Sequence, residues 1–426
     1  MDPMIPKFSP AAFLNALHHK ALLMKTITSH LTAILLLLTI AANSEVAAQT
    51  KPLKVYILCG QSNMQGHAQT KTLAHLAMDP ATASMLADIQ DKDGTAKVFN
   101  NIWISSLGSA PEIRQGNLTT GFGAAGRGQT KIGPELTFGI YMQKHVKEPI
   151  LIIKTAWGGK SLHTDFRPPS AGPYSFTEQE LKRMQDQGKD VKAVMTARKA
   201  ATGGYYRNTI QHVKAVLADI KKVYPSYDQD AGYELAGFVW FQGWNDMVAR
   251  DVYPNRDQPG GYAKYGEVLA TFIRDVRKDL QAAKMPFVIG VMGTGGPVAK
   301  YGPNKQRYVG THSGFRKAMA APASLPEFQG NVTTVLTENS WDLQLTELVS
   351  RREQLKALER KLKKDGSNSK DKIAEAVQQL SDELFTAEEL KILEVGVSNA
   401  EYHYLGSAKI LCGIGKAFAD ALADMK

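Results

Sequence analysis

Five short apolar runs, continuous rather than alternating, constrain the fold of this chain more than anything else in it. They are Val55–Leu58, Ile150–Ile153, Ala236–Phe241, Phe287–Met292 and Val332–Leu336. Runs of this length without polar alternation fit strands buried on both faces, as in a parallel sheet. Amphipathic helices lie between them. In Tyr265–Leu280 the residues Leu269, Phe272, Ile273, Val276 and Leu280 share one stripe. Ser407–Asp424 does the same with Ala408, Leu411, Cys412, Gly415, Ala419 and Leu422, and Gln211–Val223 repeats the pattern more weakly. Strands alternating with helices imply right-handed crossovers, and so an α/β fold: a doubly wound, mostly parallel five-stranded sheet.

Two stretches break the rhythm. Thr70 to Thr130 is polar and Gly-rich, ending in the run 121–128, and reads as a long irregular surface insertion. Leu343 to Glu394 carries Leu348, Leu355 and Leu362 at sevenfold spacing, a break at 365–368, then Ile373, Val377 and Leu380. This predicts a helical hairpin inserted at 343–390. The leucine repeat is its internal seam, with a dimer contact as the sharper alternative. Thr386 to Glu389 is a capping box that opens a further helix. The chain then divides into 1–48, a first part of the α/β domain 49–342, the hairpin, and a closing part of that domain 391–426.

The segment 1–48 stands apart from the fold. Leu31–Ala42 is a twelve-residue apolar run, preceded by Lys25 and followed by small residues up to Ala48. It reads as a secretory signal cleaved after Ala48, with an uncleaved anchor as the rival. Met24 opens a more typical signal than Met1. The expected location is therefore exported, periplasmic or extracellular, with no membrane span once the signal is removed. Net charge is +10, but the basic residues are scattered among acidic ones, so nucleic acid is not an expected partner. The two cysteines, Cys59 and Cys412, form no metal-ligand pair. They read as buried apolar thiols, with one disulfide as the alternative.

Four segments carry candidate chemistry. The first run leads into Cys59-Gly60-Gln61-Ser62-Asn63-Met64. In an open parallel sheet, ligands sit beyond the carboxyl ends of the strands, where Ser62 falls. The second run continues to Trp157-Gly158-Gly159, a glycine turn able to offer a backbone N–H. The third continues to Gln242-Gly243-Trp244-Asn245-Asp246, where Asn245 can donate to a developing oxyanion. Near the end, His403 lies in a loop before the last helix.

Gly60-Gln61-Ser62-Asn63-Met64-Gln65-Gly66, Gly158-Gly159, Trp240 to Asp246 and His403 resemble the four blocks of SGNH hydrolases. Within them the sequence is similar to the sialate O-acetylesterase-like and acetylxylan-esterase-like carbohydrate esterases. Ile132-Gly133-Pro134-Glu135 also looks like an element of that family. The resemblance implies a flavodoxin-like three-layer sandwich and a serine esterase acting on O-acetyl groups of carbohydrate, without metal or organic cofactor. It implies Ser62 as nucleophile, His403 as base, and Gly159 and Asn245 as oxyanion donors. Gln61, Gln242 and Trp157 are the expected substrate contacts. Two positions depart from the pattern. Trp244 stands where relatives often carry Glu, and Ala400 stands where others carry the Asp of the triad. Glu401, Asp246 and Asp342 are the remaining acids, with Glu401 preferred, and a dyad oriented by a backbone carbonyl is the other option. A non-catalytic carbohydrate-binding relative, and a lipase or thioesterase on the same fold, are the competing functions.

Overall fold

Each residue of the first strand faces the opposite way from its neighbour, and this alternation splits the interior in two. In β1 (Leu53–Gly60), Tyr56 and Leu58 enter one apolar core, while Val55, Ile57 and Cys59 enter another on the far face. The computed structural model describes residues 51–126, 130–366 and 369–425. The proposed signal, its cleavage point, the Met24 start and the hairpin turn at 367–368 lie outside the described residues.

The other strands follow in chain order. They are β2 (Ala68–Gln69), β3 (Phe99–Gly108), β4 (Arg114–Leu118), β5 (Lys131–Ile132), β6 (Ile150–Ala156), β7 (Tyr233–Phe241), β8 (Phe287–Val291) and β9 (Val332–Leu336). The main sheet has seven strands in the order β4-β3-β6-β1-β7-β8-β9, and β2 and β5 form a separate small pair. All neighbours in the main sheet are parallel except β4, which runs antiparallel to β3 at one edge.

The five expected strands are present, and two more extend the sheet. Both come from the stretch read as irregular. In β3 the residues Asn100 and Asn101 are exposed, and only Ile102 and Ile104 to Ser106 are fully buried. In β4, Leu118 is the one fully buried residue. An edge hairpin that is wet on one side lacks the continuous apolar run of a central strand.

Helices cover both faces. Glu135–His145 and Ala408–Ala423 pack together on one side, while Gly204–Ala218 and Ala263–Asp279 pack on the other. The result is a three-layer α/β sandwich. Thr137 Oγ1 donates to Cys412 O at 2.7 Å between the first two helices. Cys59 and Cys412 are both free and buried, so no disulfide joins them. Burial pushes the Cys59 thiol up to about 12.

The arm is helical as expected, over Leu343–Asp365 and Lys370–Leu384. Leu355, Leu362, Ile373, Val377 and Leu380 are half-buried where the two helices meet. Arg351 pins the arm's base, donating to Leu384 O at 2.7 Å and to Glu389 Oε1 at 2.6 Å. Thr386 and Glu389 form the reciprocal cap of the next helix. No helix among the described residues is long and apolar enough to cross a membrane.

Candidate active site

Glycine at position 60 is dictated by crowding. A Cβ there would lie 2.1 Å from Phe241 O, so only glycine lets β1 and β7 end side by side. The chain then turns into the short helix Ser62–Gln65, which places Ser62 at the carboxyl edge of the sheet. Ser62 is largely buried, and its N–H falls at the first helical position, where no intrahelical partner exists.

Gln61 is 1% exposed and organises this edge. Its Oε1 accepts from the backbone N–H of Gly243 at 3.1 Å and from Gln242 Nε2 at 3.1 Å. A backbone donor cannot be reversed, so the oxygen is fixed there and Nε2 must face the other way. Nε2 donates to Asn245 Oδ1 at 3.1 Å and approaches Ser62 Oγ at 3.4 Å. That contact in turn fixes the Asn245 amide, leaving its NH₂ without a partner among the described residues. Gln242 is also buried, donating to Asp246 Oδ2 at 2.6 Å and to Lys160 O at 3.1 Å. Gln61 and Gln242 are therefore internal struts. Both were expected to contact substrate; in the structure their amide groups are bonded internally, with Gln61 Nε2 nearest to Ser62 Oγ.

Asp246 is likewise engaged. It accepts from Leu162 N at 2.7 Å, His163 N at 3.0 Å and Tyr253 Oη at 3.1 Å, holding the loop after β6. That loop begins at Trp157, whose N–H donates to Gly60 O at 3.2 Å. Gly159 follows at φ +71 with open space around its Cα. Trp157 is 7% exposed and packs edge-on against Tyr205, which leaves little of its face for a ligand. Nearby Tyr206 and Arg167 are buried too, with Tyr206 donating to Asp279 at 2.7 Å. This aromatic gathering is packing.

His403 comes from a strained turn. Tyr404 and Leu405 both have left-handed φ, +53° and +59°. For such residues that conformation persists only when the surroundings impose it. Tyr404 is wholly buried, and its hydroxyl accepts from Gly293 N at 2.8 Å and meets Thr337 Oγ1 at 2.7 Å, at the ends of β8 and β9. The turn packs against the Ser62–Gln65 helix. No hydrogen bond joins Ser62 Oγ to His403 among the described residues. Such bonds often tighten only when substrate is present.

The His403 ring is held at Nδ1 by Asn399 Oδ1, at 3.0 Å. The same oxygen accepts from Ala400 N at 2.8 Å. The backbone donor again fixes which amide atom faces the ring, so Nδ1 carries the proton and Nε2 its lone pair. Burial, with Lys131 adding to it, pulls the imidazole down to about 4. Glu401, the preferred acid, points elsewhere and pairs with Lys305. Asp342 caps the Leu343 helix through Leu345 N at 2.8 Å and pairs with Lys409. None of the three expected carboxylates reaches His403. Asn399 was not expected, since an acid or a backbone carbonyl was the orienting group read from the sequence. An Asn four residues before the His was the available signal.

Beside this edge a cleft of about 420 Å³ opens, lined by Trp244, Tyr402, Tyr308, His312, Arg250 and Lys305 among others. Trp244 and Tyr402, neighbours of Asn245 and His403, face each other with centroids 5.6 Å apart.

Fold and site together describe a three-layer α/β protein whose candidate catalytic groups converge beyond the carboxyl edge of its parallel strands. The chain belongs to the family described as carbohydrate esterase, sialic acid-specific acetylesterase, whose model matches residues 52–321. The match takes in Ser62, Gly159 and Asn245 and stops before His403. Among solved structures, the chain is similar to a protein from Arabidopsis thaliana at 15% identity and TM-score 0.36, covering 67% of this chain and 86% of that one. It is also similar to a carbohydrate acetylesterase from Xanthomonas citri at 13% identity and TM-score 0.36, covering 68% of this chain and 51% of that one. Comparison with curated proteins gives no match.

Proposed function

We propose that the protein is an exported serine esterase of the SGNH type that removes O-acetyl groups from carbohydrate. The observation that carries this reading is the packing of the Ser62–Gln65 helix against the turn bearing His403. In this reading His403 Nε2 takes the proton from Ser62 Oγ as the hydroxyl attacks the acetyl carbonyl. The tetrahedral oxyanion is received by the N–H groups of Ser62 and Gly159 and by the NH₂ of Asn245. The imidazolium then protonates the leaving sugar hydroxyl. Water, deprotonated by the same base, releases acetate from the acyl-enzyme. Asn399 takes the orienting place otherwise held by an acid.

Trp244 and Tyr402 are aromatic walls of the cleft, Tyr402 also meets the His403 ring with centroids 4.4 Å apart, and such walls suit a sugar ring. They are the substrate surface in place of Trp157. Acetate release from a panel of acetylated glycans is the test, with wild type set against Ser62→Ala. The variant should keep its fold and lose activity, and a fluorophosphonate probe should label wild type at Ser62. Turnover that survives in Ser62→Ala would sink the assignment.

A further inference from the structure

His67 lies flat on His403. The ring centroids are 4.0 Å apart and the planes are parallel. Both histidines come from irregular segments, and one side chain staples the two segments together. Ser398 Oγ accepts from Gln69 N at 3.1 Å, donates to Gly406 O at 2.7 Å and approaches His67 O at 3.5 Å. The loop carrying His67 is thus tied to both ends of the loop carrying His403.

We propose that His67 is a positioning residue for the base, a ring that holds the plane of His403 while Asn399 holds its edge. The inference rests on the catalytic reading of His403. Its physical ground is the neutrality of Asn399. A carboxylate would draw the imidazole into line electrostatically and stabilise the imidazolium once formed, whereas an amide oxygen supplies one dipolar contact. A single hydrogen bond at Nδ1 leaves the ring free to rock about that contact. A parallel ring across its face removes the freedom. The stack also presents a π face to the charge that develops when His403 takes a proton, which is favourable only while His67 itself is neutral. The cationic groups facing His67 are Lys131 and Lys154, with His403 stacked on it, and Lys131 also faces His403. Burial first, and these neighbours after it, hold His67 down to about 3.

The test compares His67→Phe with His67→Ala in the full chain. Phe keeps a neutral ring in the stack and Ala removes it. Expected for Ala is a kcat lower by roughly 10- to 100-fold, the scale of a displaced catalytic group, with KM little changed. The acid limb of its kcat/KM profile should move up towards pH 6.5, because the imidazole regains water. Phe should restore kcat to within about threefold of wild type. An Ala variant with wild-type kcat and pH profile would overturn the proposal, as would a folded Phe variant as slow as Ala. Imidazole NMR reads the same point without turnover. Wild-type His403 should show one Nδ1–H tautomer that stays neutral to about pH 4. His67→Ala should show mixed tautomers and a higher titration midpoint. Unchanged His403 signals in the Ala variant would end the idea even if the protein proved not to be an esterase.

Discussion

Lys154 and Glu135 form a buried ion pair beneath the Ser62–Gln65 helix, and removing one partner gives a stability change large enough to measure. Both side chains are 1% exposed and sit 2.7 Å apart. Lys154 Nζ also donates to Gln65 O and Phe122 O, each at 2.9 Å, so its three protons have three acceptors. Glu135 in turn accepts from Gly133 N at 2.9 Å. Burial nonetheless pulls the Lys154 ammonium down from its ordinary range, so the pair is desolvated as well as attractive. Lys154→Met keeps much of the volume and strands the Glu135 charge. Breaking a buried pair this way costs about 3–5 kcal/mol. Replacing both partners, as Lys154→Met with Glu135→Leu, should recover part of that loss, because no isolated charge remains. Recovery is incomplete, since Gly133 N also loses its acceptor, at about 1–3 kcal/mol when buried, while Gln65 O and Phe122 O lack Lys154 in both variants and Phe122 O keeps Arg114. The assay is denaturant unfolding of wild type, the single variant and the double variant. Acetate release is followed in parallel, because Gln65 closes the helix that starts at Ser62. A single variant destabilised by less than about 1 kcal/mol would refute the reasoning. So would a double variant less stable than the single one.

Gln61→Leu should lower kcat by about 10²-fold with little change in KM, because Asn245 loses the contact that aims its NH₂. Steady-state kinetics showing unchanged kcat would disconnect Gln61 from the oxyanion donor. Stability should also fall on the acid side. His67 and His403 have folded-state pKa values depressed to about 3 and about 4, so both are neutral when folded but protonate near pH 6.5 when unfolded. Their stability is fully present above about pH 6.5 and is lost as pH falls towards 4. Each adds to a loss that develops as pH falls from about 6.5 towards 4, reduced by solvent screening because both rings are part-exposed. Unfolding midpoints that are flat between pH 7 and pH 5 would contradict the buried neutral pair.

Most of the layered architecture was legible because its strands are apolar on both faces. Val55–Leu58 and Ile150–Ile153 lie in the sheet centre, where every position is buried, and periodicity reports burial. The edge hairpin was not legible for the same reason. Asn100, Asn101, Gln115 and Asn117 are tolerated where one face is wet, and such a segment resembles a loop. At the site, Ser62, His403 and Asn245 could be placed at strand and loop ends, since topology assigns those positions. The role of a glutamine could not be read in that way. Gln61 and Gln242 sit beside catalytic positions in sequence, yet their amides turn inward, and sequence spacing does not encode side-chain direction in a turn. Glu401 misled through proximity. Two residues from His403 along a turn with left-handed backbone, it is carried out to Lys305, while Asn399, four residues away, is brought back to the ring edge at Nδ1.

The carboxylates that a hydrolase of this design could use at its base are engaged elsewhere. Asp246 holds the loop after β6, Asp342 caps a helix, Glu135 neutralises Lys154, and Glu401 meets Lys305 at the rim. The groups left to act on substrate are neutral amides and imidazoles, and the orientation of each amide traces back to a backbone N–H that cannot move: Gly243 for Gln61 and hence Asn245, Ala400 for Asn399. Such a site gains direction from the backbone, where a triad with an acid gains it from charge. A neutral orienting amide does not stabilise the imidazolium as a carboxylate does, and Lys131 beside His403 opposes the same charge. Burial, with Lys131 adding to it, keeps His403 unprotonated well below neutral pH, which in the proposed mechanism also makes it a weaker base. Catalysis in this arrangement leans on geometry more than on basicity. In the proposed mechanism the flat contact of His67 and the imposed φ of Tyr404 and Leu405 would therefore serve to hold the base in place.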